Sequence, residues 1–522
     1  MRVMGIKPKT AIISVHDKTG IVDFAKFLSE NHIEILTTGG TGKLLSENKI
    51  NVTEVSKYTG AHEILDGRVK TLNPKIFGGI LALRDNKKHM LELEKQEIKL
   101  IDMVVVNLYP FEKTVAGEHS FEDALENIDI GGVSLIRAAA KNHENVAIIT
   151  EPSDYDKIMR EMKLEGEISQ ETLKHLAVKA IRKTASYDSA IDKYLSKAIL
   201  GEETLRPYFV KGEEMRYGEN PYQKAWFYKE ETIEAIKNGE IKDSCVSNGK
   251  VLHGKQLSFN NILDANEAFE LVKEFEEPCC AVIKHTNPCG VAIDAEISEA
   301  YRKALAADPL SAFGCVVALN RNCDLKTAEL MKPNFIEVII CPKFDKGAFE
   351  LLAQKKNIRL IETGNVKKTN SGFDFKTVTG GLLVQSRDFP GMKASELKVV
   401  TESQPSQEEL DDMMFSVKVA KHVKSNCVVF VKDKVTAGIG AGQMSRVDSV
   451  KIATEKGGDR IKGSVMCSDA FFPFRDGVDE AAKAGVSAII QPGGSIRDQE
   501  VIDAANEHKI SMVFSGVRLF KH

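Results

Sequence analysis

Lys284 and His285 form the pair of residues in this sequence that is best suited to chemistry. An apolar run over residues 281–283 predicts the end of a buried strand, and Asn287 and Pro288 predict a turn directly after it. Ligands bind beyond strand ends in α/β sheets, where neighbouring side chains can reach one cleft. An ammonium group that is charged at neutral pH and an imidazole that titrates near about 6.5 suit group transfer. One can stabilise an oxyanion while the other moves a proton. A surface lysine beside a capping histidine explains the same dipeptide, so the pair needs support from elsewhere in the chain.

Polar residues also gather in the N-terminal half. Residues 68–75 carry three cations and the Thr71 hydroxyl, and residues 107–111 (NLYPF) follow a continuous apolar strand. Residues 128–132 (IDIGG) precede a helical pattern that carries Arg137 and Lys141. Each stretch taken alone is typical of a solvated loop or an ion pair. Together, polar loops that follow strands and carry fixed cations predict a pocket for a small anion.

The C-terminal half repeats this theme with aromatic residues added. Residues 216–221 (RYGENP) form a turn with a cation and a ring, and Ser425-Asn426 leads directly into a strand. Residues 471–474 (FFPF) supply rings that could stack on a flat heterocycle. Packing in the core is the better interpretation of at least one of these rings.

Two glycine-rich stretches fit the common nucleotide motifs poorly. Residues 39–43 (GGTGK) lack a P-loop's first glycine, because Thr37 occupies that position, and Leu44 follows the lysine. In residues 438–443 (GIGAGQ) the third glycine of GxGxxG is displaced. ATP hydrolysis and NAD binding are therefore poorly supported. Either stretch can hold one phosphate at a helix start, and a tight turn with no ligand explains each equally well.

Composition indicates an ordinary globular protein of 522 residues, long enough for two to four domains. The net charge of −4 gives no electrostatic reason to expect nucleic acid or a membrane surface as a partner, and no apolar run reaches the length of a membrane span. The nine cysteines are an odd number and contain no CxxC, which argues against a disulfide framework and a structural zinc site. The N-terminus lacks the pattern of a signal peptide. We therefore expect a cytoplasmic protein.

The elements that must position these residues alternate between strand and helix, which predicts an α/β protein. Residues 10–15, 34–37, 103–106 and 146–150 read as strands separated by helical patterns, the rhythm of a parallel sheet. A helical pattern over residues 170–199 is followed by a domain exit at 201–207. Further strands are predicted near residues 281–283, 315–319, 336–340, 427–431, 464–467, 487–490 and 511–514. No fixed-period repeat is visible.

These stretches resemble the bifunctional enzymes of purine biosynthesis that join aminoimidazole carboxamide ribonucleotide (AICAR) transformylase to IMP cyclohydrolase. The resemblance extends over essentially the whole chain. The motifs similar to cyclohydrolase are residues 14–20 (SVHDKTG), 68–71 (RVKT), 107–111 (NLYPF), 128–132 (IDIGG) and 140–142 (AKN). The motifs similar to transformylase are residues 216–221 (RYGENP), 284–288 (KHTNP), 425–426 (SN), 440–443 (GAGQ) and 469–476 (DAFFPFRD).

The resemblance implies a cyclohydrolase domain over residues 1–200 that is similar to methylglyoxal synthase and contains a parallel sheet. It implies a transformylase domain over residues 201–522 made of two cytidine-deaminase-like α/β subdomains. The substrates would be AICAR, its formylated product FAICAR, IMP and, as co-substrate, 10-formyltetrahydrofolate, with no catalytic metal. The family further implies a homodimer with transformylase sites at the subunit interface.

Site residues carry over by motif. The resemblance implies a catalytic set of Lys70, Tyr109, Asp129 and Lys141 for ring closure and Lys284, His285 and Asn426 for formyl transfer. It implies binding residues Ser14, Lys18, Arg68, Thr71, Asn107, Ile130 and Gly131 in the first domain. In the second domain it implies Arg216, Tyr217, Asn261, Phe313, Arg446, Phe471, Phe474, Asp476, Arg518 and His522.

Two positions depart from the family pattern. His16 stands where serine is usual, which places one nucleotide contact in question although imidazole can still donate a hydrogen bond. Tyr222 stands where bacterial members usually have histidine, and we expect only local packing to change.

Two other functions fit the sequence less well. A zinc nucleoside deaminase requires PCxxC, and neither residues 278–281 (PCCA) nor 288–291 (PCGV) supplies it. A nucleotide-sensing protein without catalysis does not need a base beside a cation, which disfavours that alternative.

Overall fold

The computed structural model describes residues 5–65, 67–230, 244–368, 372–388 and 391–522. The chain divides into two units, Met1–Pro207 (unit 1) and Tyr208–His522 (unit 2). Within the described ranges, every helix is too short or too polar to span a bilayer. The assignment of one activity to residues 1–200 and the other to residues 201–522 stays a prediction.

Unit 1 contains a five-stranded sheet in the order β3-β2-β1-β4-β5, and each neighbouring pair is parallel. The strands are β1 (Thr10–Val15), β2 (Glu34–Thr37), β3 (Thr53–Glu54), β4 (Met103–Asn107) and β5 (Ala147–Ile149). The helices are α1 (Ile21–Glu30), α2 (Gly39–Glu47), α3 (Val55–Thr59), α4 (Pro74–Leu81), α5 (Lys87–Lys95), α6 (Phe111–Ala116), α7 (Phe121–Glu126), α8 (Gly131–Lys141), α9 (Tyr155–Glu165) and α10 (Gln170–Leu195). The predicted parallel sheet is confirmed.

The apolar runs of unit 1 are continuous because both faces of its sheet are covered. Ala11 and Ile13 pack in one buried cluster, and Ile12 packs in another, as the two-residue period of a strand requires. The order of the strands reverses direction between β1 and β4, since β2 and β3 lie on one side of β1 and β4 and β5 on the other. A crevice at such a switch point, beyond the carboxyl ends of the strands, is where α/β sheets bind ligands.

Unit 2 is built on a twelve-stranded mixed sheet and two separate ribbons. Its strands are β6 (Phe209–Met215), β7 (Ala225–Glu230), β8 (Lys250–His253), β9 (Cys279–Lys284), β10 (Asn287–Ile293), β11 (Cys315–Leu319), β12 (Ile336–Cys341), β13 (Arg359–Glu362), β14 (Phe373–Val378), β15 (Gly381–Ser386), β16 (Lys398–Val399), β17 (Val428–Lys432), β18 (Val435–Gly440), β19 (Val465–Ser468), β20 (Ala488–Gln491) and β21 (Ser511–Phe514). Its helices are α11 (Phe259–Val272), α12 (Ile297–Ala307), α13 (Leu325–Met331), α14 (Lys346–Leu352), α15 (Gln407–Ala420), α16 (Arg446–Gly457), α17 (Asp476–Lys483) and α18 (Asp498–Glu507). Strands β6–β7 and β14–β15 form the two ribbons.

The large sheet consists of two halves that repeat the same order of strands and helices. No pattern with a fixed period in the sequence indicates this duplication. Its order is β16-β21-β20-β19-β17-β18-β10-β9-β11-β12-β13-β8, so the two halves meet at the antiparallel pair of β10 and β18. Each half follows the same plan of strand, helix, hairpin, and then helix and strand three times. Corresponding elements begin 148 to 152 positions apart, as Phe259 and Gln407 do at the lower limit and Ile336 and Ala488 at the upper. We call residues 250–362 repeat 1 and residues 398–514 repeat 2.

Glycines at matching positions let a helix pack directly on each hairpin. A Cβ atom on Gly290 would lie 2.0 Å from the carbonyl oxygen of Ala304 in α12, and one on Gly438 would lie 2.2 Å from that of Ala453 in α16. Gly438 and Gly440 lie within β18. The prediction of a turn in residues 438–443 that could hold a phosphate is therefore wrong for these two glycines, which serve close packing of strand and helix.

We expect Gly290→Ala to destabilise unit 2 by about 1–3 kcal/mol, because the new methyl group must displace the backbone of α12. Thermal unfolding measures this as a lowered midpoint. Gly347→Ala is the matched control, since its Cβ would meet nothing nearer than Leu325 at 3.6 Å and would lie within α14. An unfolding midpoint for Gly290→Ala equal to that of the unmodified protein would contradict this packing.

Candidate active sites

In unit 1 the predicted residues gather where β1, β2 and β4 end. Ser14 Oγ lies 2.9 Å from Thr38 Oγ1, just past the end of β2. Asn107 Oδ1 accepts hydrogen bonds from the backbone N–H groups of His16 (2.6 Å) and Asp17 (2.9 Å), and its Nδ2 donates to the Asp17 carbonyl oxygen (3.0 Å). Asn107 therefore fixes the loop after β1 with both of its polar atoms.

Lys18 lies on the same edge and points toward the start of α2. Its Nζ donates to Thr41 Oγ1 at 2.7 Å and to the carbonyl oxygen of Val15. Burial lowers the pKa of Lys18, while the neighbouring Asp17 carboxylate opposes that shift. The ammonium group is thus held against the start of α2 and is partly buried there.

Lys70 and Thr71 approach the starts of two helices. A Cβ on Gly39, at the first turn of α2, would lie 3.8 Å from Lys70 Nζ, and a Cβ on Gly131, at the first turn of α8, would lie 2.9 Å from Thr71 Oγ1. Lys70 Nζ also lies 3.4 Å from Glu63 Oε2. Helix starts present unpaired N–H groups and the positive end of the helix dipole. The side chains placed against these two helix starts therefore lie where an anion can bind.

Asp129 comes just before α8 and is the carboxyl group of this edge. Its Oδ1 accepts a hydrogen bond from the Gly132 N–H at 2.6 Å, and the backbone N–H of Tyr109 also donates to its carboxylate. Burial raises the pKa of Asp129; the Gly132 and Tyr109 hydrogen bonds and the charge of His16 act in the opposite direction. A carboxylate with a raised pKa is a stronger base than an exposed one.

His16 and Tyr109 complete the edge. Their ring centroids lie 5.3 Å apart in an edge-to-face arrangement, and both side chains are exposed. The exposed side chain of Ile130, between Asp129 and Gly131, faces solvent at the same helix start. The departure from the family pattern at His16 therefore adds an imidazole next to the ring of Tyr109 and within electrostatic reach of Asp129.

Tyr187 holds the loop that carries Asp129, a role that no motif in the sequence indicates. Its hydroxyl donates to the Asn127 carbonyl oxygen at 3.0 Å and accepts the Asp129 backbone N–H at 2.8 Å, so it holds the loop that presents Asp129. Burial raises the pKa of Tyr187 to about 12. In the sequence this tyrosine falls on the helix predicted over residues 170–199, where its ring reads as core.

Two predicted residues of unit 1 lie apart from this edge. The Arg68 guanidinium forms an ion pair with Glu126 at the end of α7, and both side chains are exposed. Lys141 is the last residue of α8, ten positions after Gly131, which corresponds to about 15 Å along a helix. Roles for these two cations in binding and in proton transfer stay predictions.

In unit 2 the pair Lys284-His285 lies at a turn that differs from the predicted one. Lys284 ends β9, Asn287 begins β10 and pairs with it, so the turn consists of His285 and Thr286. Asn287 and Pro288, which predicted the turn, are strand residues. Both turn residues are left-handed, with φ of 52° and 63°. A two-residue hairpin turn of this kind favours Asn-Gly, and a side chain costs about 1–2 kcal/mol per residue there.

Asp264 of α11 holds this turn and was not predicted as a site residue. Its Oδ1 accepts the Thr286 N–H at 2.7 Å, and the His285 N–H also donates to the carboxylate. Burial raises the pKa of Asp264, and these two hydrogen bonds and the His285 charge oppose the shift. The imidazole of His285 itself is exposed.

Lys284 is oriented by the loop that follows α12. Its Nζ donates to the Phe313 carbonyl oxygen at 2.6 Å, and an ammonium group retains two further donors. The ring of Phe313 is exposed and lies 5.0 Å from that of Phe335. A cation with spare donors and an exposed aromatic ring thus flank the turn.

Asn426 lies near this turn, but its side chain is fully engaged. The Asn287 side chain accepts the Lys424 N–H at 3.0 Å, which joins the loop before β17 to the first residue after the turn. Asn426 Nδ2 donates to the carbonyl oxygens of Gln443 (2.9 Å) and Met444 (3.2 Å). Both amide hydrogens of Asn426 are therefore engaged in this arrangement, and a catalytic role for Asn426 stays a prediction.

Arg446 likewise lies in a buried network. It forms an ion pair with the fully buried Asp469, donates to Ser468 Oγ at 2.7 Å and donates to Asn426 Oδ1 at 2.8 Å. Ser425 Oγ donates to the same aspartate at 2.5 Å. Arg446 therefore fixes the loop that contains Asn426, and any contact with substrate stays a prediction.

The chain terminus docks on that loop. The Lys521 N–H donates to Ser425 Oγ at 3.1 Å, and the Ser425 N–H donates to the Lys521 carbonyl oxygen at 2.9 Å. The Arg518 guanidinium lies 4.6 Å from the centre of the Phe520 ring, and that ring lies 5.8 Å from the His522 ring. The predicted residues Arg518 and His522 thus lie three residues before and one residue after Lys521, which bonds to the loop before β17.

The remaining predicted residues of unit 2 lie in three places. Phe471 and Phe474 are exposed and Phe472 is core, as expected for at least one of these rings; Asp476 is exposed at the start of α17. The Arg216 guanidinium lies 5.4 Å from the Tyr217 ring, in a segment bonded to the first turn of α11 through Asn260. Asn261 is buried and caps α11 by bonding with Ser258.

Among the described residues, no group of three or more His, Cys, Asp or Glu side chains could hold a metal ion.

Two family models and several relatives of full length match this chain. Residues 139–456 match the family model described as AICARFT/IMPCHase bienzyme, and residues 20–134, within unit 1, match that of the MGS-like domain. The bifunctional purine biosynthesis proteins PurH of Persephonella marina and of Acetivibrio thermocellus are each 51% identical to this chain, covering 98% of it and 100% of their own length. A solved structure titled "Crystal structure of ForH" is 31% identical with a TM-score of 0.33, over 35% of this chain and 94% of its own. Since the first family model covers more than half of the chain and both relatives match along their whole length, the chain belongs to the AICARFT/IMPCHase bienzyme family.

Proposed function

We propose that unit 1 closes the purine ring and unit 2 transfers the formyl group. As a member of its family the chain is a bifunctional AICAR formyltransferase and IMP cyclohydrolase of purine biosynthesis. The observation that carries the division is that each unit holds its own constellation of base and cation: Asp129 with Lys70 in unit 1, and His285 with Lys284 in unit 2. The match of residues 20–134 to the MGS-like domain supports the assignment of unit 1.

In unit 2, the amino group of AICAR attacks the formyl carbon of 10-formyltetrahydrofolate. This amine is a poor nucleophile, because its lone pair is delocalised into the imidazole ring and carboxamide. His285, exposed at the tip of the turn, takes the amine proton as the new C–N bond forms. The bond between the formyl carbon and the folate nitrogen then breaks, and that nitrogen receives a proton as tetrahydrofolate leaves.

Lys284 supplies the positive charge for this step. One of its three N–H donors is held by the Phe313 carbonyl oxygen, and the others are directed to the oxyanion that forms on the formyl oxygen. Asn426 supports the reaction indirectly, by fixing its loop through Gln443 and Arg446. Arg216, Tyr217, Phe313, Phe471, Phe474, Asp476, Arg518 and His522 are proposed to bind the ribonucleotide and folate.

In unit 1, the carboxamide nitrogen of FAICAR attacks the formyl carbon on the neighbouring nitrogen, and water is lost. Both reacting groups belong to one molecule, so holding them in a reactive conformation supplies much of the acceleration. Asp129 accepts the proton of the carboxamide nitrogen, which its raised pKa favours. Lys70 and Tyr109 donate toward the departing oxygen. Lys18, Thr71 and the starts of α2 and α8 hold the phosphate. No step calls on a metal.

The repeat in unit 2 supports the expectation of two cytidine-deaminase-like subdomains, because repeats 1 and 2 share their order of elements. We also infer a homodimer. The ribbon of β14 and β15 exposes Phe373, Leu382, Leu383 and Val384, an apolar surface typical of an interface. A cytoplasmic location stays a prediction.

His285→Ala tests the formyl transfer proposal. We expect turnover of AICAR with 10-formyltetrahydrofolate, followed by folate absorbance, to fall at least about 100-fold, with the KM for AICAR within about threefold. Conversion of supplied FAICAR to IMP should be unchanged. Asp433→Ala, which alters the equivalent turn position of repeat 2, is the control and should retain activity. Near-normal turnover of His285→Ala would remove this imidazole from the mechanism.

Asp129→Asn tests the cyclohydrolase proposal, and here ring closure should be lost while formyl transfer is retained. Loss of the base should slow conversion of FAICAR to IMP by about 100-fold or more, while formyl transfer to AICAR continues. Asp156→Asn changes an exposed carboxylate on α9 and serves as the control. Unimpaired ring closure by Asp129→Asn would show that another group accepts the proton.

We expect His16→Ser to alter the pH profile of ring closure. A positive charge near Asp129 lowers the pKa of that carboxyl, so removing it should raise the pKa. Because ring closure requires the carboxylate, the acid limb of kcat/KM for FAICAR should move to higher pH in His16→Ser. His175→Ser, an exposed change on α10, should leave the profile in place. An acid limb that does not move, or moves to lower pH, would contradict this coupling.

A further inference from the structure

The two repeats of unit 2 build the same anchored turn. In repeat 1, the carboxylate of Asp264 accepts the N–H groups of His285 and Thr286. In repeat 2, Asp412 Oδ2 accepts the Asp433 N–H at 2.9 Å and its Oδ1 accepts the Lys434 N–H at 2.7 Å. Each aspartate is the sixth residue of its helix, α11 or α15. The anchor is therefore a duplicated feature of the fold.

The anchor compensates for turn residues that do not favour their conformation. All four turn residues are left-handed, with φ of 52° and 63° in repeat 1 and 55° and 56° in repeat 2, and none is glycine. Thr286 is β-branched, the side-chain type least suited to this region. A carboxylate that accepts both turn N–H groups selects the left-handed geometry, which side chains alone would not maintain.

The two turns differ in what they carry. The turn of repeat 1 presents His285 next to Lys284, whereas the turn of repeat 2 presents Asp433 and Lys434, which belong to no proposed site. We propose that Asp264 is the positioning residue for His285, fixing the backbone from which the imidazole reaches the amine of AICAR. This inference rests on the proposed role of His285 in formyl transfer.

Two charged residues, Glu267 and Lys284, lie near Asp264 or the turn that it holds. Glu267, one turn further along α11, lies near it and forms an ion pair with Lys521 of the docked chain terminus. Lys284 precedes the turn on β9, and its ammonium group is directed to Phe313. Among the described residues, the hydrogen bonds of Asp264 go to the turn, so its effect on catalysis passes through His285.

The test compares Asp264→Asn with Asp412→Asn. Each substitution removes the charge and one acceptor from an equivalent anchor, so we expect similar decreases in the unfolding midpoint. Asp264→Asn should in addition lower kcat for formyl transfer by about 10- to 100-fold, since a small displacement of a catalytic group has an effect of this size. Its KM for AICAR should stay within about threefold, and ring closure of FAICAR should be unchanged. Asp412→Asn should retain kcat within about twofold.

A double variant separates positioning from a direct role. Asp264→Asn added to His285→Ala should lower kcat by no more than about twofold beyond His285→Ala alone, because residues that act as a unit are not additive. If Asp264→Asn is insoluble, Asp264→Glu, which moves the carboxylate by one methylene, is compared in the same way; a lowered kcat at constant KM supports the proposal and an unchanged kcat overturns it.

The outcomes are distinguishable. A wild-type kcat for Asp264→Asn, beside an inactive His285→Ala, overturns the positioning role and leaves the role of His285 intact. Equal losses of kcat in Asp264→Asn and Asp412→Asn also overturn it, since they indicate a general effect on the fold. Near-normal turnover of His285→Ala overturns the proposed function itself and, with it, this inference.

Discussion

The bonds between a helix carboxylate and the two N–H groups of a left-handed turn are the interaction on which the proposed formyl transfer site depends. His285 and Thr286 occupy a conformation that favours glycine, and Asp264 is the acceptor that satisfies their N–H groups. The same arrangement in repeat 2, around Asp412, shows that it belongs to the architecture of the sheet. A duplicated structural element thus presents the imidazole of the proposed formyl transfer site in one of its two copies.

In unit 1, the loops that carry the proposed catalytic residues are held by side-chain hydrogen bonds from Asn107 and Tyr187. Its parallel strands end on one edge, and the reversal of strand order between β1 and β4 opens a crevice there. Asn107 fixes the loop after β1, which carries Lys18. Tyr187 fixes the loop before α8, which carries Asp129. In both units, residues outside the proposed catalytic set hold the backbone that carries the proposed catalytic groups.

The sequence predicted the strands of the cores well, because buried strands such as β4 and β11 are continuous apolar runs. The site residues that motif resemblance supplied stay predictions. No pattern with a fixed period in the sequence indicated the repeat, and only the resemblance implied two similar subdomains there. The Asn287-Pro288 signal placed the turn two residues late, since the carboxylate of Asp264, distant in sequence, makes an unfavourable His-Thr turn possible. It also could not show that the amide of Asn426 is engaged by Gln443 and Met444, because the satisfaction of donors depends on the folded chain.

The central claim is that an imidazole held by the anchored turn accepts the proton of the AICAR amine. A crystal structure of the protein with AICAR and an unreactive folate analogue tests it most directly. A nitrogen of the His285 ring should lie within about 2.6–3.2 Å of the exocyclic amine, with the ammonium group of Lys284 beside the folate group that replaces the formyl. A bound AICAR whose amine lies far from both side chains, with the turn still bonded to Asp264, would contradict it.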